Sequence, residues 1–263
     1  MKRIFLLFLL TMVLAGCSKG QTAAPIHTTA PTIPTTEPTT LPTEPTQEET
    51  EPTKPEHSPF YMEGLSALDV ITYFNEVCLA TEYATGSGDP SLVQKWDEPI
   101  YYTVHGDATP EDLTVIEEFF TWLNTVEGFP GARQATDAYS ANLNIHFTDE
   151  AGMSEQLGDS YVDMDGAVRY WYTDNCIYSE DICILTRLEQ PVRNSVILEE
   201  LYNGTGLCQD TVMREDSIIY QYSSTNQVLS PIDKILLQLA YNPAIRPGMN
   251  AAECAAVIQH LYY

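Results

Sequence analysis

Positive charge is scarce in this chain: 12 Lys and Arg stand against 37 Asp and Glu among 263 residues, a formal net charge of −25. Binding nucleic acid takes clustered basic side chains to neutralise phosphates, so the composition argues against a nucleic-acid partner. Acidity of this kind keeps a protein soluble, and it leaves cationic partners or metal ions open. Long hydrophobic runs are missing too. The most apolar stretch, residues 4–14, is far shorter than the roughly 20 residues that cross a bilayer core, which argues against a permanent transmembrane helix there. Histidine is sparse, and His105, His146 and His260 are scattered along the chain. No Ser/His/Asp or Cys/His grouping can be assembled from spacing, no pair of cysteines has zinc-ribbon spacing, and no internal repeat is visible.

The N-terminus carries a recognisable address. Lys2 and Arg3 precede the apolar run, and Leu14-Ala15-Gly16-Cys17 closes it with small residues before a cysteine, the order of a secretory signal. The ending resembles the bacterial lipobox. That resemblance implies cleavage before Cys17, lipidation of Cys17, and anchoring to the bacterial cytoplasmic membrane with the rest of the chain outside the cytoplasm. Acyl chains contribute roughly 0.8 kcal/mol per buried methylene, so they replace a transmembrane helix as the hold on membrane lipid. Residues 18–59 then repeat Thr, Pro and Glu with almost no large apolar side chain. Such a segment cannot form a core and is expected to be a disordered, extended spacer.

Residues 60–263 are long enough for one domain with a sizeable core. Apolar residues at helical spacing from Leu65 to Ala80, with Ser66 as an early cap, predict a helix. Residues 99–104 are β-branched and aromatic, and Thr109-Pro110-Glu111-Asp112 leads into a helix over 113–126. Residues 142–147, 167–172 and 182–188 are further strand candidates. Helices are predicted after Arg193, ending at Gly204 and Gly206; from Ser230-Pro231 to Leu239; and from Asn250 to near His260. The expected fold class is α+β, a mixed sheet packed on helices. Outside the cytoplasm disulfides are permitted, and Cys176 and Cys183, bracketing a short stretch between two strand candidates, are the candidate pair; closing so short a loop contributes roughly 2 to 3 kcal/mol. The odd number of cysteines beyond Cys17 leaves at least one thiol unpaired within the chain.

The chemistry-bearing stretch is Val196-Ile197-Leu198-Glu199-Glu200-Leu201-Tyr202-Asn203-Gly204-Thr205-Gly206-Leu207, followed by Ser217-Ile218-Ile219-Tyr220. It resembles the zincin metallopeptidase pattern H-E-x-x-H-x-x-G-x-x-H, and the later tetrapeptide resembles the turn under the metal in metzincins, with Ile219 where they place methionine. The span from about Phe60 to Met249, ending Tyr241-Asn242-Pro243-Ala244-Ile245-Arg246-Pro247-Gly248-Met249, more closely resembles domain-of-unknown-function family 2927 of secreted bacterial proteins, which looks zincin-like and has no established activity. The resemblance implies a zincin-like, metzincin-type fold.

The donors depart from the zincin pattern. Glu199, Asn203 and Gln209 occupy the three ligand positions, and Glu200 alone matches, at the general-base position. One carboxylate and two neutral amides in place of three imidazoles weaken zinc binding severely. The leading expectation is therefore a catalytically inactive, surface-anchored binding or scaffold module with no cofactor, whose cleft takes a peptide or envelope polymer; an extended peptide can add to an edge strand without any histidine. In that reading Glu199 and Glu200 are ordinary structural acids, one facing solvent and the other capping or pairing within the fold. Two other readings remain: Glu199, Glu200, Asn203 and Asp210 bind calcium in an adhesin-like module; or a metal-dependent hydrolase uses Glu200 as general base and Glu199 among its ligands. Tyr101-Tyr102 and Tyr170-Trp171-Tyr172 fit sheet packing better than an exposed platform.

Overall fold

The computed structural model describes residues 58–79, 91–222 and 225–263. The signal, Cys17 and residues 18–57 of the spacer lie outside the described residues. Capping places most of the helices. Ser66, Thr109, Ser230 and Asn250 each accept from the backbone N–H three residues on, and the acid at that position bonds back to the cap, opening α1 (Ala67–Cys78), α2 (Pro110–Leu123), α5 (Pro231–Tyr241) and α6 (Ala251–Tyr262). α4 (Gln190–Asn203) has no side-chain cap and carries Pro191 in its first turn, where the missing N–H has no partner to lose. α3 (Glu150–Leu157), not foreseen in the sequence, is capped by Asp149.

The strands are β1 (Lys95–Trp96), β2 (Ile100–Gly106), β3 (Ala132–Gln134), β4 (Leu143–Thr148), β5 (Gly166–Thr173) and β6 (Cys176–Leu185). They make one mixed, mostly parallel sheet. β3, β2, β4 and β6 run parallel in that spatial order, and β5 pairs antiparallel along the whole of β6. Because β5 occupies one edge of β6, β1 and β4 share the other, β1 at Cys176–Ile177 and β4 from Glu180 onward. Ile145, Ile182 and Ile184 point from the sheet into the main core with Ile197, Leu201 and Tyr202 of α4 and Leu236 of α5. α3 covers part of the other face through Met153 and Leu157 on Ala167, Cys183 and Leu185.

The cysteine stretch is corrected by the structure. Residues 177–182 are not a loop: β6 runs straight through them, and the reversal lies at Asp174-Asn175, both at positive φ (52° and 64°), as a two-residue hairpin requires. Cys176 and Cys183 therefore stand seven residues apart along one extended strand, about 23 Å at strand rise. A disulfide needs Cα atoms within about 7 Å, so this pair cannot form one. Both are free thiols, as are Cys78, Cys208 and Cys254.

Candidate functional site

α4 lies under the β5–β6 hairpin and is buried along nearly its whole length. Its seat is fixed from the side of α2: Arg193 Nε donates to Asp112 Oδ1 at 2.9 Å, Gln190 Nε2 donates to the same oxygen at 2.6 Å, and Asn194 Nδ2 donates to Glu111 Oε1 at 2.8 Å. Beyond its end, the turn at 217–219 rests on Asp233, whose carboxylate accepts from Ser217 Oγ at 2.6 Å and from Ile218 N at 3.0 Å. Asp233 thus caps α5 and holds the tetrapeptide singled out in the sequence.

Glu200 is 7 % exposed and packs beneath the start of β5; a Cβ on Gly166 would lie 3.0 Å from its Oε1. Burial drives its pKa well above the carboxylate range, the charges of Glu199 and Asp210 add to that, and a bond from Asn203 opposes it. Burial therefore favours the protonated form of this carboxyl. Glu199, Asn203 and Gln209, at the zincin ligand positions, are half-buried. Gln209 turns its amide to the Asp210 carbonyl at 3.3 Å, and Asn203 Oδ1 is buried without a hydrogen-bond partner. Among the described residues no group of three or more His, Cys, Asp or Glu side chains is arranged to hold a metal ion. One carboxylate and two neutral amides are a poor donor set for zinc, so the residues present do not fit that metal.

The sequence did not reveal the second buried acid. Glu180 of β6 is fully buried and neither carboxyl oxygen makes a well-formed hydrogen bond; burial, then the charge of Asp181, raises its pKa strongly, and the neighbouring Trp96 indole N–H opposes the shift. It lies beneath the end of α4, where a Cβ on Gly204 would come within 1.8 Å of Oε1. The nearby indole N–H of Trp96 donates to the Gly204 carbonyl at 3.0 Å. Beside it, Cys208 Sγ donates to Tyr170 Oη at 3.3 Å, and Tyr170 Oη donates to Gln94 Oε1 at 2.9 Å. Burial pushes the Cys208 thiol up to about 12. The one signal for Glu180 was phase: it stands two and four residues before Ile182 and Ile184, on the same face of the strand.

The histidines lie elsewhere. His105 and His146 stack at 4.8 Å between centroids, beside Asn144 and Asp181, on the sheet face away from α4. Burial, then the neighbouring His105, lowers the pKa of His146.

A family described as protein of unknown function (DUF2927) matches residues 68–260, and the prokaryotic membrane lipoprotein lipid attachment site matches residues 1–18, which include Cys17. No curated protein and no solved structure matches the chain. Among the described residues no helix is long and apolar enough to cross a membrane.

Proposed function

The chain belongs to the DUF2927 family, and from that premise we propose that it is a lipid-tethered, zincin-like module that has given up catalysis and holds an extended peptide along β5, outside the cytoplasm. The single observation that carries this reading is the pairing of β5. Among the described residues it bonds to β6 alone, directly above the helix that bears Glu200, so one backbone edge is left open for an added strand.

Other features support it. The motif stretch lies on a helix, α4, and the later tetrapeptide 217–220 forms a turn beyond it, which agrees with the two features quoted for the zincin resemblance. The donors at 199, 203 and 209 suit binding better than metal chemistry, and Glu200 is packed where burial favours its protonated form. Leu185 N bonds to Asp165 O, and the antiparallel alternation from that pair directs the backbone N–H and C=O of Val168 and Tyr170 to the open edge.

The test is a Val168→Pro variant, because proline is tolerated on an edge strand where its missing N–H would face outward. The lipoprotein in detergent micelles is panned against a random peptide library. Wild type should enrich peptides that the folded variant fails to hold. Equal enrichment by both would sink strand addition. Cleavage of the enriched peptides that disappears in Glu200→Gln would restore the hydrolase reading, and a melting temperature raised by calcium, with no peptide held, would favour the adhesin-like one.

A further inference from the structure

The end of α4 is secured in an unusual way. Gly204 follows the last helical residue, its carbonyl accepts the Trp96 indole, and the next carbonyl, of Thr205, accepts Tyr241 Oη at 3.0 Å. Only glycine fits at 204, because the Glu180 carboxyl fills the place of a side chain. A carboxyl buried beside one indole N–H that is already directed at the Gly204 carbonyl is tolerated while it is neutral and is costly when charged. No cation offsets that cost among the groups facing it. These are Glu200 on α4, Tyr170 on β5, Tyr241 on α5 and Cys208 after α4, with Asp181 next to it on β6. The ammonium of Lys95, on the neighbouring strand β1, is turned onto the carbonyls of Ala240 and Ile245 at 2.8 and 2.5 Å.

We propose that Glu180, Gly204 and Trp96 form a proton-controlled latch that closes the end of α4, and with it residues 203–210, against the sheet. With the proton on Glu180 the glycine sits down on the neutral carboxyl and the indole stays on the Gly204 carbonyl. Loss of the proton leaves a bare charge in the core. The least disruptive relief is for the 204–210 segment to lift and admit water, because it is held by side-chain bonds from Trp96 and Tyr241, the Cys208 bond to Tyr170 and one long backbone bond from Gln209 N to the Val77 carbonyl at 3.3 Å, whereas β6 is hydrogen-bonded along both edges. Lifting frees Cys208 from Tyr170 and opens Asn203 and Glu200 to solvent beneath β5. The latch is independent of peptide addition: it concerns the state of the site, whatever occupies it.

The test uses the full lipoprotein in detergent micelles with Trp122→Phe and Trp171→Phe, leaving Trp96 as the one indole. Between about pH 6 and about pH 9, Trp96 should shift to the red and its acrylamide quenching should rise about threefold or more, while Glu180→Gln stays flat. Hydrogen exchange on the wild type gives a second reading that needs no variant at 180: protection at Gly206 and Leu207 should fall at least about tenfold over the same range relative to Ile145 of β4. Identical titrations of Trp96 in wild type and Glu180→Gln would overturn the latch. So would a Trp96 that stays shielded throughout, or protection lost at Ile145 in step with Gly206.

Discussion

Arg193 Nε donates to Asp112 Oδ1 at 2.9 Å in the interior, tying the helix that carries the candidate site to its packed neighbour α2. The guanidinium also bonds the Thr186 carbonyl and Gln190 Oε1, and the carboxylate also accepts from Thr109 N at the start of α2, so each charge is met from several sides. Truncating one member of such a pair strands the other. Arg193→Met should therefore lower the unfolding free energy by about 3 to 5 kcal/mol in urea titrations, and adding Asp112→Asn should restore a good part of the loss. A double variant no more stable than the single one would mean that the cost lies in packing.

Two buried acids set the pH dependence. The folded pKa values of Glu180 and Glu200 lie above the ordinary 4.5, so the folded state binds protons that the unfolded state has already lost. Their contribution is fully present below 4.5 and drains away as pH rises toward the raised values, by at most about 1.4 kcal/mol per pH unit for each group. Chemical denaturation should find the wild type more stable at pH 5 than at pH 8, with a shallower slope in Glu180→Gln and in Glu200→Gln. A wild type that gains stability over that interval would contradict the neutral state of both acids.

Lys95 works in the opposite sense. Burial brings its pKa down from 10.5 to about 8, partly countered by Cys176, Cys254 and Asp97. Between those two values the unfolded chain holds the proton more firmly, so the group's contribution grows as pH rises through the window and is lost as pH falls through about 8. Relative to Lys95→Met, the wild type should gain stability from pH 8 to pH 10. A constant difference between the two would place an ordinary lysine at this position.

The cysteines give the simplest measurement. Denatured, unreduced protein should titrate five thiols, since Cys17 is spent on lipid and Cys78, Cys176, Cys183, Cys208 and Cys254 are free. Cys176→Ser with Cys183→Ser should leave the intact-mass pattern under non-reducing conditions unchanged apart from the two substitutions. A loss of two thiols that depends on this pair would require β6 to be broken.

What could be read from the sequence follows from how local each cause is. The helices α1, α2, α5 and α6 were legible because their caps are written within four residues, as at Ser66 and Thr109. α3 was missed because it buries little beyond Met153 and Leu157 and is otherwise polar. β1 and β3, two and three residues long, exist because β6 and β2 offer them an edge, which no local pattern announces. The reversal between β5 and β6 falls at Asp174-Asn175, the pair suited to positive φ, and not between Cys176 and Cys183, because backbone torsions and not thiol spacing set where a strand turns. At the site, positions 199, 200, 203 and 209 were legible as a motif, but the burial of Glu200 depends on Gly166 more than thirty residues earlier. Glu180 acquires its meaning only when Gly204 closes over it.

The described chain begins where it ends: Ser58 Oγ donates to the Leu261 carbonyl, and Tyr262 Oη donates to the carbonyl of Leu65. The first and last described segments are thus stitched to each other, so removing residues 261–263 would also unfasten Ser58 and the Leu65 carbonyl just ahead of α1: a change at the end of the chain is felt where the described chain begins.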